Sequence, residues 1–317
     1  MSDLDAVYSS ASRKAHFDKV HMARLRNGLH MEYALHGRDS APEKVLLIVG
    51  FQGLKEEWLP LISTLLPPNN LTTAAQYQLV SFDNRGVGGT DKPWGLYSTT
   101  QMALDAVQLM DHLQWSSAHV VGASLGGMIA QELAYIAPER VKSLVLMVTT
   151  PGFMQSLLSF DQWSGYWALF KKALSGTPVA ALLHVFYPEE YLGELLRGDI
   201  SVGMVLYSHH VDTFKVSQLH MSGFLGQYAA VLRHRMTPDR LARIRAHGFP
   251  IAVVAAKKDR VIHSDNSKIL YAWLKGNNTH AIVFEDSGHG VVLQHRQQIA
   301  QALRNHFESC YSVKSRL

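Results

Sequence analysis

The pentapeptide Gly122-Ala123-Ser124-Leu125-Gly126 constrains this chain more than any other feature, because it joins the apolar run Ala118-His119-Val120-Val121 to a stretch with helical spacing. Glycines at 122 and 126 allow a turn too tight for larger side chains, so a strand can pass directly into a helix with the serine held at the turn. The helical side is read from Leu125, Met128, Ile129, Leu133 and Ile136, apolar residues mostly three and four apart, and Pro138 ends it. A pattern this short has weight only with a strand before it and a helix after it, and both are present.

The same alternation runs through most of the chain. An Asn27-Gly28 turn precedes Leu29, Met31, Tyr33 and Leu35, which alternate as in a hairpin with one half-exposed face. Apolar runs of the buried-strand kind follow at Val45 to Val49, Gln78 to Phe82, His119 to Val121, Ser143 to Val148, Ile251 to Ala255 and His280 to Phe284. Helical spacing appears between them at Met102, Ala106, Leu109 and Leu113, and later at Ile269 and Trp273 and at Ile299, Leu303 and Phe307. Strands alternating with helices predict an α/β fold: a mostly parallel central sheet flanked by helices.

Residues 151–236 interrupt this rhythm with a long aromatic- and methionine-rich stretch of helical character, including Phe153, Met154, Trp163, Tyr166, Trp167, Phe170, Phe186, Tyr207, Phe214, Met221, Phe224 and Tyr228. The expected organisation is therefore residues 1–150 as the first half of a core, a helical cap at 151–236 inserted after the sixth strand, and residues 237–317 as the second half with a short tail. Some of these apolar side chains must pack the insert onto the core. A subset is expected to line an apolar pocket beneath it.

Composition excludes several classes. With 317 residues, 47% of them hydrophobic and 18% charged, the chain can bury a large core. It has no stretch of eighteen apolar residues, and Met1 to Val20 has no apolar segment of the secretory type, so neither a transmembrane segment nor a signal peptide is expected. Cys310 is the single cysteine and cannot form an internal disulfide. The net charge is +4 and the isoelectric point near 9.0, but the basic residues are dispersed, which argues against nucleic acid as a partner. The 17 histidines are unusually many.

A serine hydroxyl needs a base within hydrogen-bond reach and a third group to orient that base. His289 lies in Ser287-Gly288-His289-Gly290, a glycine-flanked loop between the last strand and the final helix, and Asp259 directly follows the strand that begins at Ile251. Their order after Ser124 is serine, acid, histidine. Among competing acids, Asp286 is too close to His289 in sequence to reach the far side of the ring easily.

These residues and their order resemble the α/β-hydrolase fold superfamily over roughly Val20 to Phe307. Asp83-Asn84-Arg85-Gly86-Val87-Gly88 resembles its loop after the fourth strand, and Pro138-Glu139-Arg140-Val141 its run into the sixth; both are structural in that family. The resemblance is closest to the capped, esterase- or lipase-like branch. It implies Ser124 as nucleophile, Asp259 as acid and His289 as base, with the Phe51 and Leu125 amides forming an oxyanion hole. One position departs from the pattern: the loop after the third strand reads Val49-Gly50-Phe51-Gln52-Gly53, with Val49 where the family usually has histidine. The serine argues against dehalogenase and epoxide-hydrolase chemistry, which use aspartate at this turn. The implied activity is hydrolysis of a small ester or thioester with an apolar portion, without metal or organic cofactor. The alternative is a triad-retaining ligand-binding receptor or scaffold with little turnover. The terminal Ser315-Arg316-Leu317 resembles a peroxisomal targeting tripeptide, so a peroxisomal import receptor is an expected partner if the source is eukaryotic, and the cytoplasm is expected otherwise.

Overall fold

The computed structural model describes residues 3–67, 70–152, 179–216 and 219–314. Phe153, Met154, Trp163, Tyr166, Trp167 and Phe170 of the insert, the Phe214 side chain and Ser315 to Leu317 lie outside the described residues.

Two short helices, Asp3–Val7 (α1) and Ser10–Phe17 (α2), precede the hairpin His21–Arg24 (β1) and His30–Gly37 (β2). The expected turn closes it: Gly28 has φ +88°, and the Asn27 side chain accepts from the Leu29 N–H at 3.1 Å. Then follow Glu43–Ile48 (β3), Leu59–Leu65 (α3), Leu71–Gln76 (α4), Tyr77–Phe82 (β4), Thr99–His112 (α5), Ala118–Ala123 (β5), Leu125–Ile136 (α6) and Val141–Met147 (β6). The chain next leaves the sheet for Val179–Phe186 (α7), Glu189–Gly193 (α8), a small hairpin of Leu195–Arg197 (β7) and Ile200–Ser201 (β8), Val202–Val216 (α9) and Met221–Arg233 (α10). It returns through Pro238–Ala246 (α11), Ile251–Ala256 (β9), Asp265–Leu274 (α12), Thr279–Phe284 (β10), Val291–Gln294 (α13) and Arg296–Lys314 (α14).

Eight strands form one sheet in the order β1-β2-β4-β3-β5-β6-β9-β10. The pairs from β4 to β10 are parallel, and β2 joins β4 antiparallel. Side chains alternate across each strand, so Leu46 and Ile48 of β3 enter the core under α5, α6, α11 and α12, while Val45 and Leu47 enter the core under α3 and α14. Burial on both faces explains the unbroken apolar runs of β3, β5, β6 and β9. The run at His280 to Phe284, expected to be fully buried, is instead half exposed. As β10 it ends the sheet, so it has no neighbour beyond it and less cover.

Within the insert, the β7-β8 hairpin is a departure from the purely helical expectation. A third apolar cluster, separate from the two that flank the sheet, includes Leu183, Tyr187, Tyr191, Leu192, Val202 and Leu206. The segment's two ends meet where the Met236 N–H donates to the Pro151 carbonyl at 2.7 Å. Among the described residues no helix is long and apolar enough to cross a membrane.

Candidate active site

Ser124 sits between β5 and α6 with φ 56° and ψ −122°, a conformation that L-residues rarely adopt. Its N–H donates to the Met147 carbonyl at 3.0 Å, and its own carbonyl accepts from Gly127 N–H, Met128 N–H and the Thr149 hydroxyl. The backbone is thus held on both sides of the strained residue. The flanking glycines are required by contact: a Cβ at Gly122 would stand 2.2 Å from the Gly126 carbonyl oxygen, and one at Gly126 would stand 1.9 Å from that of Ile48. Gln52 and Val148, with φ 55° and 43°, share the unusual region and lie just after β3 and β6, on either side of β5. Such strain clusters where surrounding structure over-determines the chain.

Asp259 and His289 are brought together from loops after β9 and β10, with Asp259 Oδ2 2.8 Å from His289 Nδ1. The other carboxylate oxygen accepts from the N–H groups of Val261 and Ile262, at 2.8 and 2.9 Å, which fixes the acid's orientation. The two loops are tied directly, Lys258 N–H donating to the Ser287 carbonyl at 2.8 Å. With the Asp259 side chain 1% exposed, a buried carboxylate favours the tautomer that places a proton on Nδ1 and leaves Nε2 as an acceptor. Asp286, the competing acid, turns outward and pairs with His295.

The glycines beside His289 allow close packing. Gly290 N–H donates to the Phe186 carbonyl, the Phe186 ring stacks on the imidazole at 5.6 Å, and a Cβ on Gly290 would meet the Tyr187 ring at 2.1 Å. The histidine loop therefore packs closely against the insert.

The loop after β3 passes over the serine: a Cβ at Gly50 would be 3.2 Å from Ser124 Cβ. Phe51 follows, its ring edge-on to Phe224 at 5.5 Å and to Tyr228 at 6.3 Å. Where Val49 replaces the expected histidine, other groups hold the loop. Asn84 Nδ2 donates to the Val49 carbonyl at 3.0 Å, and Gln227 Oε1 accepts from the Gln52 N–H at 2.9 Å while its Nε2 donates to the Arg85 carbonyl at 2.9 Å. Leu125 opens α6, so its N–H has no carbonyl one turn back. Among the described residues no acceptor takes the Phe51 or Leu125 N–H.

Asp83 and Arg85 brace this region through separate partners. Asp83 accepts from the Lys55 N–H and ammonium and from the Gly89 N–H, and Lys55 also reaches Glu32 and Glu56. Arg85 makes a two-pronged pair with Asp105 on α5 at 2.5 and 2.7 Å. Sequence reading did not find Lys55, Gln227 or Glu57 as site-supporting residues. A glutamine within the apolar run of α10 was a signal for Gln227, whereas Lys55 and Glu57 lie in the charged run Lys55-Glu56-Glu57 that reads as surface.

Glu57 is the unexpected charge. Its side chain is open to solvent, yet burial is the largest influence on its carboxyl and pushes it up to about 7, opposed by the Leu54 N–H and by His289. Its field reaches Tyr8 and Tyr187 as well, whose hydroxyls burial holds well above the ordinary tyrosine range. Among the described residues no group of three or more histidine, cysteine or acidic side chains is arranged to hold a metal ion.

The sequence pattern of the alpha/beta hydrolase fold matches residues 44–296. Rhodomycin D methylesterase of Streptomyces peucetius is 26% identical over 290 residues, covering 84% of this chain and 92% of that protein. A provisionally named carbamate hydrolase of Azorhizobium caulinodans is 36% identical over 115 residues, and the match spans only 39% of its length. Among solved structures, an enol-lactonase from Burkholderia xenovorans superposes with a TM-score of 0.72 at 18% identity, covering 91% of this chain and 100% of its own. An esterase from Exiguobacterium antarcticum gives 0.72 at 19% identity, covering 92% and 100%.

Proposed function

The chain belongs to the alpha/beta hydrolase fold family, and from that premise we propose that it is a serine hydrolase cleaving a small ester or thioester with an apolar portion. The observations that carry this reading are a serine on a strained, braced turn after β5 and, on the loops after β9 and β10, a histidine whose Nδ1 is bonded to a buried, doubly anchored aspartate. Ser124 Oγ attacks the carbonyl carbon as His289 Nε2 takes its proton. The Phe51 and Leu125 N–H groups receive the resulting oxyanion. Collapse expels the alcohol or thiol, protonated by His289, and leaves an acyl group on Ser124. Water, deprotonated by the same histidine, then releases the acid. A methylesterase that aligns over most of the chain supports an ester as the substrate class.

Residues 151–236 are proposed as a cap over this site, because Phe186 and Tyr187 press on the histidine loop and Phe224, Gln227 and Tyr228 on the loop after β3. The Ser315-Arg316-Leu317 address is kept as a proposal for a eukaryotic source, tested by whether a fluorescent protein carrying it enters peroxisomes.

The decisive experiment is covalent labelling by a fluorophosphonate together with ester turnover. Wild-type protein should label and hydrolyse. Ser124→Ala should do neither, with kcat lowered by several orders of magnitude and the fold unchanged. Near wild-type turnover in Ser124→Ala refutes the assignment, and a panel of esters and thioesters of increasing acyl length then defines the substrate.

A further inference from the structure

One stretch of surface is left unaccounted for by the hydrolase reading. Of the fourteen large apolar side chains that stand exposed among the described residues, six fall in two short segments: Trp94 and Leu96, and Leu219, Met221, Leu225 and Leu232. Trp94 is 75% exposed and Leu96 71%, the two highest values of the set. The segments are neighbours in space. The Ser222 hydroxyl donates to the Lys92 carbonyl at 2.8 Å, the Tyr97 N–H donates to the Gly226 carbonyl at 3.3 Å, and the Tyr97 ring packs where a Cβ on Gly226 would be. The 92–97 loop therefore runs alongside the first half of α10.

Helical geometry makes the α10 residues one stripe. Successive residues turn by about 100°, so Met221, Leu225 and Leu232 project within about 40° of each other. Half-buried Tyr228 lies on the same stripe and touches Phe51 beside the candidate serine. The site is held from the adjoining arc of the helix, through Phe224 on Phe51, and from its far side, through Gln227 on Gln52. One helix thus presents its inner face to the reacting centre and an apolar face to the outside.

The charges that these two segments carry share one sign. Residues 92–104 and 219–235 contain no Asp or Glu, but they do contain Lys92, Arg233 and Arg235. Asp91, next in sequence, is paired with His30. An apolar face with an outstanding tryptophan and a cationic border matches the interface of an anionic bilayer, where indole sits at headgroup depth and basic residues meet lipid phosphates. A second copy of the chain fits less well, since a symmetric contact would set like charges opposite one another. We propose that the 92–97 loop and the outer stripe of α10 dock on an anionic lipid surface and bring the candidate active site to it.

Binding can be measured without catalysis by floating the full-length Ser124→Ala protein with vesicles of phosphatidylcholine, alone or with about 30% phosphatidylserine. The protein should co-float with the anionic vesicles, weakly with the neutral ones, and less as salt is raised. Trp94→Glu/Leu225→Glu in that background should lower co-flotation by about tenfold or more. Absence of co-flotation with both vesicle types, or equal binding by the double variant, overturns the proposal. So does a dimer in light scattering that the double variant dissolves, because a second copy then covers the face. Thermal unfolding checks that the double variant is folded, and Leu96→Glu alone replaces it if it is not. Since the serine is absent throughout, failure of the esterase reading leaves this result standing.

Discussion

The Ser124 backbone conformation costs on the order of 1–3 kcal/mol relative to relaxed geometry, and the hydrogen bonds to the Met147 carbonyl and from Gly127, Met128 and Thr149 maintain it. Asp259 is specified as tightly, with one oxygen on His289 and the other on two backbone N–H groups. Asp259→Asn should keep that shape but lose the charge that steadies the protonated imidazole, lowering kcat by about 10⁴ while changing KM little. Steady-state kinetics beside Asp286→Asn checks this. A crippling Asp286→Asn with a neutral Asp259→Asn would move the acid to the other residue.

Glu57 gives a second residue-scale prediction. Burial raises its carboxyl to about 7, so it changes charge near neutral pH. When ionised it sets a negative charge within electrostatic reach of His289. Glu57→Gln keeps an acceptor for the Leu54 N–H and removes the charge. The acid limb of the pH–kcat/KM profile should therefore shift to lower pH in that variant. An unmoved acid limb would show that Glu57 acts only as a cap on its own turn.

At the scale of elements, α10 reaches the site through a glutamine rather than a catalytic group. Gln227 is fully buried and bridges the Gln52 N–H to the Arg85 carbonyl, joining the loop after β3 to the loop after β4. Gln227→Met fills a similar volume but leaves both backbone groups without their partner, which costs about 1–3 kcal/mol. Because Gln52 holds a positive φ one residue after Phe51, the loop should also relax and kcat should fall more than KM rises. Urea unfolding and steady-state kinetics on the same preparation separate the two effects. Lost stability with unchanged kcat would make the bridge purely structural.

At the scale of the whole molecule, several of the 17 histidines have a structural explanation. His36, His234 and His306 are each at most 3% exposed, and burial lowers all three to about 3. His36 meets the Ser81 hydroxyl and His234 that of Thr99. Folding keeps them neutral, whereas an unfolded chain protonates them below about 6.5. Between about 6.5 and 3 the unfolded state therefore binds more protons, and stability falls as pH falls, by up to about 1.4 kcal/mol per pH unit for each histidine. The loss should be small at pH 7 and steep near pH 5. Urea midpoints across that range check it, and His36→Gln should flatten the slope. A midpoint that does not move between pH 7 and pH 5 would contradict it.

Much of this was legible in the sequence because it depends on local periodicity. Leu46 and Ile48 alternate with Val45 and Leu47 whatever the rest of the chain does, and Gly122 and Gly126 permit one kind of turn around Ser124, so the parallel core strands and the placement of the serine could be read directly. The order of Ser124, Asp259 and His289 was visible for the same reason, each following a recognisable strand. What the sequence could not decide depends on distance in space. The exposure of β10 follows from its being last in the sheet, a property of strand order rather than of Thr279 to Phe284 themselves. Lys55 to Asp83, Gln227 to Gln52 and Glu57 within electrostatic reach of His289 join residues from different elements, and no spacing along the chain encodes such pairs. The apolar stripe of α10 reads in sequence like any core-facing helix. Only the packed fold shows that its inner side is already filled by Phe224 and Gln227, so that Met221, Leu225 and Leu232 must face outward.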